Sequence, residues 1–176
     1  GQDGQVQVIP NPDALGPVWF VNAVKYESTP RGVMNALTNF NPRDTAVVFT
    51  EDQKLVVNDP GTATDSIWLK FNDNDDVAYG YNSSSNRFAV FSEVFFDKGW
   101  KAYVDGKELP IIRTNYVLRG LSLPAGQNKE IKFEFRPASF YTGEKIALVA
   151  GIVLYLLLVA AIVQSYRKRN VKKKEE

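Results

Sequence analysis

The sequence predicts a mainly β fold: an antiparallel β-sandwich with one short amphipathic helix, followed by a single C-terminal transmembrane helix. Three observations carry that prediction. Seven to nine short β segments are separated by turn residues at about 8–12-residue spacing. In KEIKFEFR (129–136), Ile131, Phe133 and Phe135 alternate with Lys132, Glu134 and Arg136, the period of a strand buried on one face. Ile146 to Val163 is a run of eighteen residues with neither charge nor proline, and a basic block follows it.

The elements read in order as follows. Residues 1–16 are rich in Gly, Asn and Pro and form an irregular lead-in. PVWFVNAVKY (17–26) is a first strand. Ser28 or Thr29 then caps a helix with Pro30 in its first turn, placing Val33, Met34, Leu37 and Phe40 along one face, and Pro42 stops it. Further strands follow at 45–50, 65–71, 77–82, 87–96, 100–105, 107–112, 115–123 and 129–136. Asp105-Gly106 between two of them is a strong hairpin signal, because both central residues of such a turn need positive φ. PAGQN (124–128) makes another turn. The sandwich spans 17–137, and the membrane helix with its flanking collar spans 138–166.

The apolar run nearly crosses a hydrocarbon core of about 30 Å at 1.5 Å per residue. Residues 167–176 hold Arg167, Lys168, Arg169, Lys172, Lys173 and Lys174, so the positive-inside bias assigns this basic tail to the cytoplasm and the body to the extracytoplasmic, periplasmic side. Exporting that body needs a signal peptide or an earlier span, and the polar opening GQDGQVQVIP supplies neither. The chain therefore reads as the C-terminal part of a longer, polytopic protein of the bacterial cytoplasmic (inner) membrane, or as a processed product.

The 176 residues carry a net charge of +1, which conceals an asymmetry. The first 163 residues hold fifteen basic and eighteen acidic side chains, a mildly acidic body without the footprint of a nucleic-acid binder. There is neither His nor Cys, which removes Ser-His-Asp and Cys-His catalysis, zinc sites built on those residues, and disulfides.

Few constellations suggest chemistry. Glu93 shares a strand face with Phe91 and Phe95, so burial requires a partner, for which Arg113 and Arg119 are the candidates. A structural ion pair is one reading. A sugar-hydroxyl clamp of Glu93, Asn115 and Arg119 is the other. NDNDD (72–76) has the flavour of a calcium loop but lacks the Gly and terminal Glu of an EF-hand, and reads as a hairpin turn. NSS (82–84) is a formal glycosylation triplet. Among the aromatic residues Trp19, Phe20, Trp68, Tyr79, Tyr81, Phe95, Phe96, Trp100, Tyr103 and Tyr116, core packing is the general expectation. Trp100 shares the inner face with Ala102 and Val104. Tyr103 sits with Lys101 and Asp105 on the other face and is the exposed member.

The block FSEVFFDKGWKAYVDGKELPIIRTNYVLRGLSLPAGQNKEIKFEFRPASFYTGEKIA (91–147), supported by NPDALGPVWFV (11–21), resembles the C-terminal end of the YfhO family of bacterial membrane proteins, in its Bacteroidetes form. Gly99-Trp100, Asp105-Gly106, Asn115-Tyr116-Val117-Leu118-Arg119, Pro124-Ala125-Gly126 and Phe135-Arg136-Pro137 form its spine. Asp97 stands where a Pro is usual and Pro17 where an Asn is usual, both at turns. The resemblance implies a polytopic protein similar to GT-C glycosyltransferases, which use polyprenyl-phosphate-linked sugars. In that class the catalytic acid lies in an early loop, upstream of these residues, so no catalytic, cofactor or metal role is carried onto this chain.

The expectation is a non-catalytic extracytoplasmic domain that covers the mouth of a membrane glycosyltransferase and positions acceptor or glycan. Its expected partners are the bilayer, the upstream membrane domain, and a glycan or polyprenyl-phosphate sugar; its candidate glycan contacts are Tyr103, Glu93, Asn115 and Arg119. A carbohydrate-binding module and a purely structural cap are the alternatives.

Overall fold

A computed structural model describes Asn11 and residues 14–172, with side chains through Gln164. Most of the expected lead-in and the last four residues of the basic tail lie outside the described residues. The chain divides into two compact units, 1–135 and 136–176.

The first unit holds eleven strands in two sheets, with one α-helix and a 3₁₀ segment at Thr50–Leu55. The first sheet contains β1 (Val18–Phe20), β2 (Ala23–Glu27), β3 (Thr45–Phe49), β6 (Arg87–Val94), β9 (Ile112–Thr114) and β10 (Leu118–Leu123), in the order β1-β6-β10-β9-β3-β2. The second contains β4 (Ser66–Asn72), β5 (Asp76–Ser83), β7 (Trp100–Val104), β8 (Lys107–Leu109) and β11 (Gly126–Phe135), in the order β4-β5-β11-β7-β8. All pairings are antiparallel except β2 with β3. Helix α1 (Pro30–Thr38) lies between those two in sequence, and a parallel pair needs such a crossover.

The expected first strand breaks at Val21–Asn22, where the amides of Asn22 and Ala23 both donate to the Asp44 carbonyl, at 2.7 and 3.0 Å. Its two halves become the opposite edges of the first sheet. In a flat sheet six strands would separate those edges by roughly 24 Å at about 4.8 Å per strand, whereas three residues span at most about 11 Å. The sheet therefore curls round on itself.

That curl gives β6 two buried faces. Phe88 and Val90 point into the curl with Val21, Ala46, Val48 and Ile112. Ala89 and Phe91 point to the second sheet and pack with Tyr79, Leu121, Ile131 and Phe133. Tyr79, Phe91 and Phe133 meet edge-to-face with centroids 4.9–6.0 Å apart, the arrangement ring quadrupoles favour. Truncating a ring of this kind costs about 3–5 kcal/mol.

Helix α1 begins where the sequence places it. The Thr29 hydroxyl accepts from the Gly32 amide at 3.0 Å, and Pro30 opens the first turn. Val33 is buried with Val47 and Phe49, and Leu37 and Phe40 pack beside them. Met34 departs from the expected face and is 52 % exposed.

The second unit is α2 (Ala138–Lys172). Ala138–Gln164 is long and apolar enough to cross a membrane, and its side chains are exposed. A helix that is apolar all round with no protein covering it matches lipid as its solvent, not a soluble core.

Candidate functional site

The outer face of the second sheet carries a groove of about 390 Å³ lined by Tyr103, Asp105, Gly106, Glu130, Lys132 and Glu134. Strand alternation builds it. Because Ile131 and Phe133 of β11 face the core, Glu130, Lys132 and Glu134 must face outward. On β7, Ala102 and Val104 are buried, so Tyr103 faces outward and stands directly opposite Lys132. Asp105 (φ 49°) and Gly106 (φ 81°) close the far end in the tight turn that the Asp-Gly pair predicts.

The groove is polar and mildly acidic, with Asp105, Glu130 and Glu134 against Lys132 in its lining. Lys70 donates to Glu130 at 2.5 Å and Lys132 approaches the same carboxylate at 3.5 Å. Lys101 pairs with Glu108 at 3.1 Å, and Lys129 pairs with Asp105. The Lys70 hydrogen bond holds the Glu130 carboxyl below its usual range. It is therefore a fixed, ionised acceptor at neutral pH. Four lysines share this face with five carboxylates, because Asp76 of β5 stands opposite Glu134. The Tyr103 hydroxyl and the Glu134 carboxylate make no hydrogen bond or ion pair with other described residues. They remain available to a ligand.

Trp68 extends the face. Ile67 and Leu69 pack against the core, so Trp68 on β4 turns outward, 39 % exposed, over Gly80 of β5. Gly80 in turn stands opposite Glu130, so the indole sits two strands from Tyr103 across the groove floor. The general expectation of core packing does not hold for this Trp. Strand alternation beside Ile67 and Leu69 was the available signal, and the lack of a Cβ at Gly80 supplies the space.

A second polar constellation lies between the sheets. Arg119 of β10 is 4 % exposed, donates from Nε to the Val94 carbonyl at 3.0 Å, and stacks its guanidinium 4.0 Å from the centre of the Trp100 ring. Burial lowers its pKa, with Glu93 and Tyr79 opposing that shift. Burial likewise raises the Tyr79 hydroxyl, and the charge of Glu93 adds to the effect. Tyr79 Oη and Arg119 Nη1 are both buried without a hydrogen-bond partner among the described residues. Glu93 itself accepts from Asn72 Nδ2 at 3.3 Å.

The expected site residues thus fall into three places. Glu93 and Arg119 come together electrostatically, with Arg119 on the inner side of the second sheet. Arg113 instead stacks 4.7 Å from the Tyr116 ring. Asn115 (φ 47°) sits in the β9–β10 turn, where its Oδ1 accepts from the Val47 amide at 2.8 Å and its own amide donates to the Val47 carbonyl at 2.8 Å. It pins that turn to β3. Only Tyr103 lines the groove.

NDNDD forms the β4–β5 hairpin, as read from the sequence. Among the described residues, no group of three or more Asp, Glu, His or Cys side chains is placed to hold a metal ion.

The family model described as "Bacterial membrane protein YfhO" matches residues 54–147, just over half of the chain. The match runs from the 3₁₀ segment through every strand of the groove and into α2. No curated protein and no solved structure matches the chain.

Proposed function

Because the chain belongs to the YfhO family of bacterial membrane proteins, we propose that it is a membrane-anchored, extracytoplasmic, non-catalytic glycan-positioning domain. On this reading the body stands outside the cytoplasmic membrane, the basic tail lies in the cytoplasm, and glycosyl transfer belongs to an upstream membrane domain of the same polytopic protein. The groove holds acceptor or growing glycan within reach of that chemistry.

One observation carries the reading. The Tyr103 groove offers an aromatic wall, fixed carboxylate acceptors and the Lys132 donor on one mildly acidic surface. Sugar rings present apolar C–H faces to aromatic side chains and hydroxyls to carboxylates and amines. The excess of carboxylates favours the neutral saccharide over the phosphate of a lipid carrier, which would call for an unpaired cluster of cations.

The test is titration of the full chain in lipid nanodiscs with a panel of neutral oligosaccharides. Binding that Tyr103→Ala weakens tenfold or more is expected. Absence of binding, or binding indifferent to that change, rejects the groove as a glycan site and leaves a structural cap. Sidedness is tested separately. The chain has no cysteine, so Lys107→Cys can be labelled on intact cells with a membrane-impermeant maleimide. Labelling only after lysis would place the body inside and overturn the reading.

A further inference from the structure

One end of the β-sandwich is unusually apolar. In the second sheet this end is marked by the pairs Glu134–Asp76 and Phe135–Trp100. In the first it is marked by Val94 opposite Leu118, and residues 95–99 join the two. Among the described residues of the body seven large apolar side chains are exposed, and three of them gather here: Val94 (69 %), Phe96 (52 %) and Val117 (50 %). They are not loose ends. The Phe95 amide donates to the Val117 carbonyl at 2.7 Å, fixing the 95–99 loop to the β9–β10 turn. Val94, Phe96, Val117, Arg113 and Tyr116 border a shallow depression of about 320 Å³ between them.

We infer that this apolar end is a second membrane contact, seated in the headgroup region of the bilayer that α2 enters. The argument is the length of the tether. β11 ends on Phe135 at this same end, and only Arg136 and Pro137 separate it from Ala138. Three peptide steps reach about 11 Å at most. The uninterrupted apolar run begins at Ile146, eight residues into the helix, or about 12 Å at 1.5 Å per residue. This end therefore stays within about 23 Å of the hydrocarbon edge, and the headgroup layer occupies part of that distance. Asp105 stands opposite Glu130, five residues up β11 from Phe135, so the Asp105-Gly106 turn and the neighbouring Lys107 lie further from the bilayer by up to about 17 Å.

The charges define the kind of surface. Asp73, Asp75, Asp76, Asp97 and Glu134 stand at this end against Lys98, Arg113 and Arg136, so an anionic lipid surface is not attracted. The contact is apolar insertion into zwitterionic headgroups, insensitive to salt. It is independent of any glycan in the Tyr103 groove, so either proposal can fail without the other.

Site-directed spin labelling decides it. Full-length Phe96→Cys, Val117→Cys and, as the distal control, Lys107→Cys are labelled with a nitroxide and reconstituted in phosphatidylcholine nanodiscs. The expected result is a several-fold higher ratio of oxygen to nickel-chelate accessibility at 96 and 117 than at 107, unchanged between low and high salt. Ratios equal to that of position 107 overturn the inference. So does shielding of 96 and 117 from both reagents, which would mean that protein, not lipid, covers the patch.

Discussion

The Trp68 indole lies so close over Gly80 that a Cβ added at position 80 would stand 2.5 Å from the ring. That contact closes the gap a glycine leaves in the middle of a sheet, and it also holds the ring flat on the outer face. Gly80→Ala should force the ring away at a cost of about 1–3 kcal/mol, the usual range for overpacking. Chemical denaturation with tryptophan emission measures both effects: a lower midpoint and a red-shifted native spectrum are expected. An unchanged spectrum would mean the ring tilts aside freely.

Asp65 and Arg87 form an ion pair at 2.9 Å with both side chains 4 % exposed. Burial alone would raise the Asp65 pKa, but hydrogen bonds from Ser84 and Thr62, through amides and hydroxyls, prevail and depress it. Asp65→Asn leaves the guanidinium without its counter-charge and should cost about 3–5 kcal/mol. A depressed carboxylate stabilises the fold fully above its unfolded pKa of about 3.9, and the contribution is lost as pH falls below that value. Urea midpoints for the native chain should therefore drop between pH 5 and pH 3, with a shallower drop in Asp65→Asn.

At the alkaline end the buried tyrosines act in the opposite sense. Tyr81 is pushed up to about 12 by burial, with the charge of Asp105 adding to the shift, and its hydroxyl donates to the Pro124 carbonyl at 2.9 Å. A raised pKa gives stability that is complete below the unfolded value of about 10 and fades as pH climbs towards 12. Ultraviolet titration of the folded chain and of Tyr81→Phe should show Tyr81 ionising well above pH 10, and Tyr81→Phe should flatten the loss of stability there. Ionisation of Tyr81 near pH 10 would contradict its burial.

Asn115 separates architecture from recognition. Asn115→Ala removes the acceptor of the Val47 amide and puts a less tolerant residue at φ 47°, so a loss of about 1–3 kcal/mol is expected. Any oligosaccharide affinity should be unchanged, because Asn115 does not line the groove. A selective loss of affinity at full stability would return Asn115 to the role of a ligand contact.

Much of this fold is legible in local chemistry. The Asp105-Gly106 turn, the Thr29 cap and the alternation of β11 each depend on neighbours within a few residues, and each stands where the sequence puts it. What escapes is non-local. The break at Val21–Asn22 depends on the Asp44 carbonyl, and the parallel β2–β3 pair depends on how α1 crosses over. The expected strand 107–112 divides between two sheets after Leu109, and 115–117 is a turn in which Asn115 and Tyr116 both take positive φ.

The groove was half visible for the same reason. Tyr103 follows from the alternation of β7, whereas the outward Glu130, Lys132 and Glu134 become a site only when β11 is known to lie beside β7. Glu93 and Arg119 influence each other's charge, but among the described residues they form no ion pair: Glu93 accepts from Asn72 and Arg119 donates to the Val94 carbonyl. Which sheet face carries Arg119 depends on the register of β10 against β6, which shifts between Leu118 and Arg119.

The strand that continues into the membrane helix is also the middle strand of its sheet. β11 pairs with β5 over most of its length and with β7 from Ile131 to Phe135, the half next to the helix. A pull on the anchor therefore runs along two hydrogen-bond ladders and loads them in shear, where many bonds must yield together instead of peeling one by one. The anchor is mechanically strong because of where it enters the fold, and lateral drag from the bilayer is shared across the second sheet instead of being concentrated at an edge.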